Sequence, residues 1–287
     1  MKKSLLLIAL SVLFMSMDRN LDAYKIYDKS GDEANFKKLV SKSLEADIIL
    51  FGELHNNPIV HWMELELSKA LYTGIGNKLV MGAEMFEADN ALILKEYIDG
   101  KIKDKNFESE ARLWPNYKTD YKPLLQFARD SSLRFIATNI PRRYAAIVNK
   151  DGFEGLNSLS DEAKNYIAPL PVAYDPELSG YKSMLTMMEG SGHENVNLPK
   201  AQAIKDATMA HFIMKNLKPG EKFIHFNGSY HSDDFQGIMW YLKQARPEIK
   251  IVTISSAEQD DLSKLDDDYK GKADFILVTP SSMTKTN

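Results

Sequence analysis

Apolar residues along this chain follow two periods. Short unbroken runs recur at "DIILFG" (47–52), "KLVMGAE" (78–84), "LRFIATNI" (133–140), "KFIHFNG" (222–228), "KIVTIS" (250–255) and "DFILVT" (274–279). Runs of this length, rich in Ile, Val, Leu and Phe and bounded by turn or charged residues, read as strands buried on both faces. Helical spacing fills the gaps between several of them. After Gly52 the pattern marks a helix with Asn57 as N-cap and Pro58 at its first position. Its apolar stripe runs through Ile59, Trp62, Met63 and Leu67, and it stops near Thr73 and Gly74. Strands alternating with helices predict an α/β fold, with a mostly parallel sheet flanked by helices.

Two intervening stretches, 86–129 and 142–216, exceed an ordinary crossover connection. They predict an inserted helical cap subdomain over the carboxyl ends of the strands. Residues 24–280 thus read as one α/β domain with two cap insertions, and residues 281–287 as a flexible tail. Ahead of them, Lys2 and Lys3 precede the apolar run Leu5–Met17, too short to span a bilayer comfortably. This is the layout of an export signal, assigned to residues 1–23 with Ala23 as the cleavage candidate. An exported protein, periplasmic or associated with the outer membrane, is expected.

Composition narrows the chemistry. With 44% hydrophobic and 26% charged residues and a net charge of −4, nothing is basic enough to suggest nucleic acid as a partner. The chain has no cysteine, which removes disulfides, iron–sulfur clusters and thiol nucleophiles. Any metal chemistry falls to His, Asp, Glu, Tyr or Met.

The polar groups gather where predicted strands end: Glu53 and His55 after the first, Glu84 at the end of the second, Asn139 at the third, and Asn227, Gly228 and His231 at the fourth. Carboxyl ends of parallel strands share one edge, so these residues should meet in one crevice, the usual place for a ligand in such sheets. His55 and His231 sit in glycine-containing turns. Together with Glu53 and Glu84 they form a mixed set suited to a divalent metal ion or to acid–base catalysis. The dense spacing of a metalloprotease helix is missing. Burial is expected to raise the pKa of Glu84. His61, near a helix start, is expected to be neutral, either a polar wall of the pocket or a satisfied half-buried histidine rather than a ligand. Asp206 interrupts the apolar row Ala203, Ala210, Ile213 and Leu217, with Gln202 one turn earlier, and is either structural or a pocket group. His211 and His225 read as core or surface histidines. The insert 171–199 carries Tyr174, Tyr181, Met184, Met187, Met188 and His193, a composition that fits either core packing or a wall for a flat hydrophobic cofactor such as haem.

The segments "FGELHNNPIVH", "VMGAEMFEADN", "YKPLLQFAR", "FIATNIPRR", "QAIKDATMAHFI" and "HFNGSYHSDDFQGI" follow one another in an informative order. In order and spacing, from about residue 46 to 255, this series resembles the ChaN-like family of bacterial haem-binding, iron-regulated lipoproteins, within the wider Tiki and TraB group. The resemblance implies a cell-envelope protein in haem and iron acquisition, with haem as cofactor. It also implies a tyrosine iron ligand, a histidine contacting haem, and a homodimer around stacked haems. Tyr174 and Tyr181 are the tyrosine candidates, with Tyr117 and Tyr121 behind them, and His193 is the histidine candidate. An outer-membrane haem receptor becomes a candidate partner. The Tiki relationship implies an alternative, a metal-dependent hydrolase or protease, with Glu53, His55, Glu84 and His231 as catalytic groups or metal ligands. One departure is plain: the anchoring cysteine of a lipoprotein is missing, and Met17 follows Ser16. A structural envelope protein with neither activity is the third reading.

Overall fold

A computed structural model of the chain describes residues 21–188 and 195–286. Most of the expected export signal, residues 1–20, and the candidate His193 lie outside the described residues. Among the described residues no helix is long and apolar enough to cross a membrane.

The strands are β1 (Lys25–Asp28), β2 (Glu33–Ala34), β3 (Ile48–Glu53), β4 (Leu79–Glu87), β5 (Arg134–Asn139), β6 (Lys222–Gly228), β7 (Ile251–Gln259) and β8 (Phe275–Pro280). They form one sheet in the order β2-β1-β8-β7-β3-β6-β4-β5. Strands β3 to β8 pair in parallel, and β1 closes one side antiparallel to β8 and to β2. All six strands expected from the apolar runs are present. The short β1 and β2 were missed, because four and two residues carry too little periodicity to separate from a loop.

The helices are α1 (Phe36–Glu45), α2 (Pro58–Ile75), α3 (Ala91–Ile98), α4 (Asp104–Glu110), α5 (Lys122–Asp130), α6 (Arg142–Asp151), α7 (Asp161–Lys164), α8 (Ser179–Met188), α9 (Leu198–Asn216) and α10 (Ile238–Ala245). Alternate residues of each strand face opposite sides of the sheet. Ile49 and Phe51 pack with α2 and with the helices between β4 and β5, through Met63, Leu67, Leu94, Phe107 and Leu124. Ile48 and Leu50 pack on the other side with α9 and α10, through Met209, Ile213 and Leu242.

Helix α9 joins two cores. Its later residues pack on the sheet, while Ala201, Ile204 and Ala207 belong to a separate cluster with Ile140, Tyr144, Val148, Leu156 and Ile167. This cluster is built by the second insertion. Asp206 therefore sits where the cap meets the sheet, next to the carboxyl ends of the strands.

The connections fix the crevice. The chain runs from β3 to β4 and β5, returns to place β6 between β3 and β4, and then crosses to β7 on the far side of β3. That reversal around β3 opens a gap in the packing above its carboxyl end.

Candidate functional site

The turn after β3 is held by the start of α2. Asn57 caps that helix: its side-chain oxygen accepts from the backbone N–H of Ile59 at 3.1 Å and of Val60 at 3.3 Å. Its side-chain nitrogen donates to Glu258 at 2.8 Å and to Thr279 at 2.7 Å. One asparagine thus ties the helix start to β7 and β8. The buried face of α2 differs from the expected stripe. Trp62 is 47% exposed, while His61, Glu64 and Ser68 are buried among Val60, Met63, Leu67 and Leu71.

Glu53 ends β3 fully enclosed. Its Oε1 accepts from the Tyr121 hydroxyl and lies 2.7 Å from His55 Nδ1. His61 Nδ1 lies 2.9 Å from Glu64 Oε2 and 3.8 Å from Glu53 Oε2, and its Nε2 lies 3.1 Å from the His55 carbonyl. Asn116 donates to that same carbonyl and to Asp120. The segment expected to be a flexible tail reaches this cluster: Thr286 donates its hydroxyl to Asp120 and its N–H to the Asn56 carbonyl.

His61 departs from the expected neutral state. Burial opposes its charge, but Glu64 and Glu53 outweigh it and push its pKa up to about 10. Burial and the neighbouring Glu53 carboxylate hold Glu64 well above the carboxyl range. Burial also works to raise Glu53, yet its contacts with His55 and His61 leave it below its ordinary value. For the exposed imidazole of His55, desolvation is outweighed by Glu53, and its pKa is raised.

A second cluster surrounds His231, which is 4% exposed. Its Nε2 lies 3.1 Å from Glu84 Oε1 and its Nδ1 2.5 Å from Asp206 Oδ1. Glu84 Oε2 accepts from the Gly228 N–H at 2.9 Å, and Asp206 Oδ2 accepts from the Tyr181 hydroxyl at 2.8 Å. The amide of Gln202 lies 3.0 Å and 3.2 Å from the two ring nitrogens. Burial opposes the imidazolium, but its two carboxylates push His231 up to about 10. Contrary to expectation, Glu84 is lowered: burial works to raise it, and the His231 charge and the Gly228 amide win. Asp206 is raised, because its burial outweighs the same imidazolium.

Gly228 links the clusters. A Cβ at this position would lie 2.8 Å from His55 Nε2 and 3.6 Å from Glu84 Oε2. A side chain here would occupy the space that lets His55 approach Glu84. The candidates Glu53, His55, Glu84 and His231 therefore gather near one glycine, and two of them, His55 and Glu84, line a crevice of about 420 Å³ together with Trp114, Asn139, Arg142 and Lys205, while Glu53 and His231 are buried behind them.

The tyrosine candidates divide. Tyr181 is 3% exposed and its phenol is turned inward onto Asp206. Tyr174 is partly exposed and stacks on the Tyr181 ring with centroids 5.6 Å apart. Tyr117 and Tyr121 are core residues, 2% and 1% exposed. His225 is an interior histidine between Thr138 and Asn227, pushed down to about 4 by burial. His211 lies half-buried on α9.

Residues 39–242 match the family described as haem-binding uptake, Tiki superfamily, ChaN. The chain belongs to this ChaN family. The matched region contains Glu53, His55, Glu84, Tyr174, Tyr181 and His231. A solved structure of ChaN of Campylobacter jejuni, described as showing cofacial haem binding, superposes with a TM-score of 0.65 at 18% identity. It covers 89% of this chain and 96% of that one. A Bacillus cereus protein of known structure aligns with a TM-score of 0.51 at 14% identity, covering 85% of this chain and 90% of that one. These likenesses establish the fold of the ChaN-family chain. Protein RETICULATA-RELATED 5, chloroplastic, of Arabidopsis thaliana is 26% identical over an alignment of 200 residues that covers 64% of this chain. The match spans only 26% of that protein.

Glu64, Asp120 and Asn116 escaped the sequence reading. The signal for Glu64 was its placement three residues after His61, one helical turn away on the same face.

Proposed function

We propose that this protein binds haem in haem and iron uptake at the cell envelope, with Tyr174 as the iron ligand and a second copy covering the haem. Membership of the ChaN family supports the ligand class. The observation that carries the site is the stacked Tyr174–Tyr181 pair. The Asp206 bond anchors Tyr181 and leaves Tyr174 as the accessible phenol. A phenolate suits ferric iron, and apolar side chains suit the macrocycle.

Those apolar side chains lie on the same insertion and its support. Leu185 is 38% exposed and Val196 69%. Tyr230, 40% exposed, donates its hydroxyl to the Gly180 carbonyl at the start of α8. Exposed apolar groups of this kind gain from being covered by a ligand and a second chain.

The metal-dependent hydrolase reading uses instead the strand-end crevice beside His55 and Glu84. It is less favoured, because Glu84 and His231 are engaged with each other as a buried ion pair.

The test is a haemin titration of the protein lacking residues 1–23, following the Soret band and the oligomeric state together. Saturable binding with a tyrosinate-type ferric spectrum and dimer formation supports the proposal. The absence of specific binding overturns it.

A further inference from the structure

We propose that Glu53, His61 and Glu64 form a structural site for a first-row divalent cation, such as Zn²⁺ or Mn²⁺, that locks the end of β3 to the start of α2. The site shares Glu53 with the strand-end candidates but uses neither His55 nor His231 as a ligand, and it does not rest on the haem reading.

The geometry points to a cation. One donor atom from each of the three residues lies within 4.8 Å of the others. The His61 Nδ1 separations, 2.9 Å to Glu64 and 3.8 Å to Glu53, are close to the spacing of about 3–4 Å between donors that share a metal at roughly 2.1 Å. All three side chains are enclosed, being 2%, 4% and 0% exposed.

A second observation is independent of this clustering. Glu53 Oε2, the oxygen that faces His61, is buried without a hydrogen-bond partner among the described residues, as is Glu64 Oε1, whose sister Oε2 is the oxygen that His61 meets. Glu53 spends its other oxygen on Tyr121 and His55, so Oε2 is its free donor. Unpartnered carboxylate oxygens in a protein interior are costly, and a bound cation removes the cost.

The tautomer of His61 completes the set. Its Nε2 faces the His55 carbonyl at 3.1 Å, so a cation that takes the place of the Nδ1 proton leaves the ring donating through Nε2 and turns the Nδ1 lone pair toward the metal and the two carboxylates. Three electron-pair donors then face one another. A backbone carbonyl on the far ring nitrogen is how metal-binding histidines are commonly oriented. One imidazole with two carboxylates suits borderline to hard divalent ions.

A proton shared between Glu53 and Glu64 is the rival way to hold this arrangement, and metal binding separates the two. Chelator-stripped, haem-free protein is dialysed against Zn²⁺ alone or Mn²⁺ alone and the bound metal is quantified. X-ray absorption of the Zn²⁺-loaded protein then counts the imidazoles. The expected result is one equivalent per chain with one imidazole, weakened at least about tenfold in Glu64→Gln. No saturable binding overturns the proposal in favour of the shared proton. Two imidazoles, or unchanged affinity in Glu64→Gln, overturn it in favour of a site built from His55 and His231. Where Glu64→Gln fails to fold, the imidazole count of the unsubstituted protein decides.

Discussion

His231 and Glu84, 147 residues apart, meet as a buried ion pair at 3.1 Å between the end of β4 and the turn after β6. The pair joins β4 to the turn that follows its neighbour β6. Asp206 on the opposite ring nitrogen extends it to the cap helix α9.

Removing one partner leaves a buried charge uncompensated. Glu84→Ala is expected to cost about 3–5 kcal/mol, read as a lower urea midpoint. A loss below about 1 kcal/mol would mean that the pair contributes little.

Stability should also depend on alkaline pH. The folded pKa of His231, about 10, exceeds the unfolded value of about 6.5. Its contribution is therefore complete below about pH 6.5 and is lost as pH rises through about 10. The melting temperature should fall between pH 7 and 10.5, and fall less in His231→Gln. Equal slopes in the two proteins would refute the assignment. On the acid side, Glu84 is lowered, so its contribution is present above its unfolded value and lost as pH falls through its folded one.

The two stacked tyrosines should separate under mutation. Tyr174→Phe removes the proposed ligand and should abolish or shift the ferric haem spectrum with little change in stability. Tyr181→Phe removes the inward phenol from Asp206 and should cost about 1–3 kcal/mol while leaving the spectrum in place. The reverse pattern in a haemin titration and a thermal melt would reassign the ligand.

Asn57→Ala should destabilise more than an ordinary cap deletion. The cap bonds account for about 1 kcal/mol. The lost ties to Glu258 and Thr279 add roughly 1–2 kcal/mol. Equilibrium unfolding checks the sum, and a loss of only about 1 kcal/mol would show that those ties are replaced by water.

Two glycines of the site should respond differently to alanine. Gly237 has φ +54°, and its Cβ would meet the His231 carbonyl, so Gly237→Ala should disrupt the fold. Gly228→Ala meets the end of the exposed His55 side chain, which can swing aside. A cost of about 1–2 kcal/mol is expected for it, and thermal melts rank the two.

Local hydrophobic pattern determined much of this protein. An uninterrupted apolar run cannot face water on either side, so the six parallel strands and the meeting of Glu53, His55, Glu84 and His231 at their ends were legible from sequence. The Asn57–Pro58 helix start was equally local, since its capping bonds reach only two and three residues ahead.

Only the tertiary structure decided which polar groups lie inside. The rotation of α2 on the sheet buried His61 and Glu64 and exposed Trp62, against the apolar stripe. The charge of His61, the lowered Glu84 and the inward phenol of Tyr181 each depend on a partner from another segment or on the depth at which the group is enclosed. The physical reason is that burial and ionisation are set by neighbours in space. A chain fixes those neighbours only after its helices have docked.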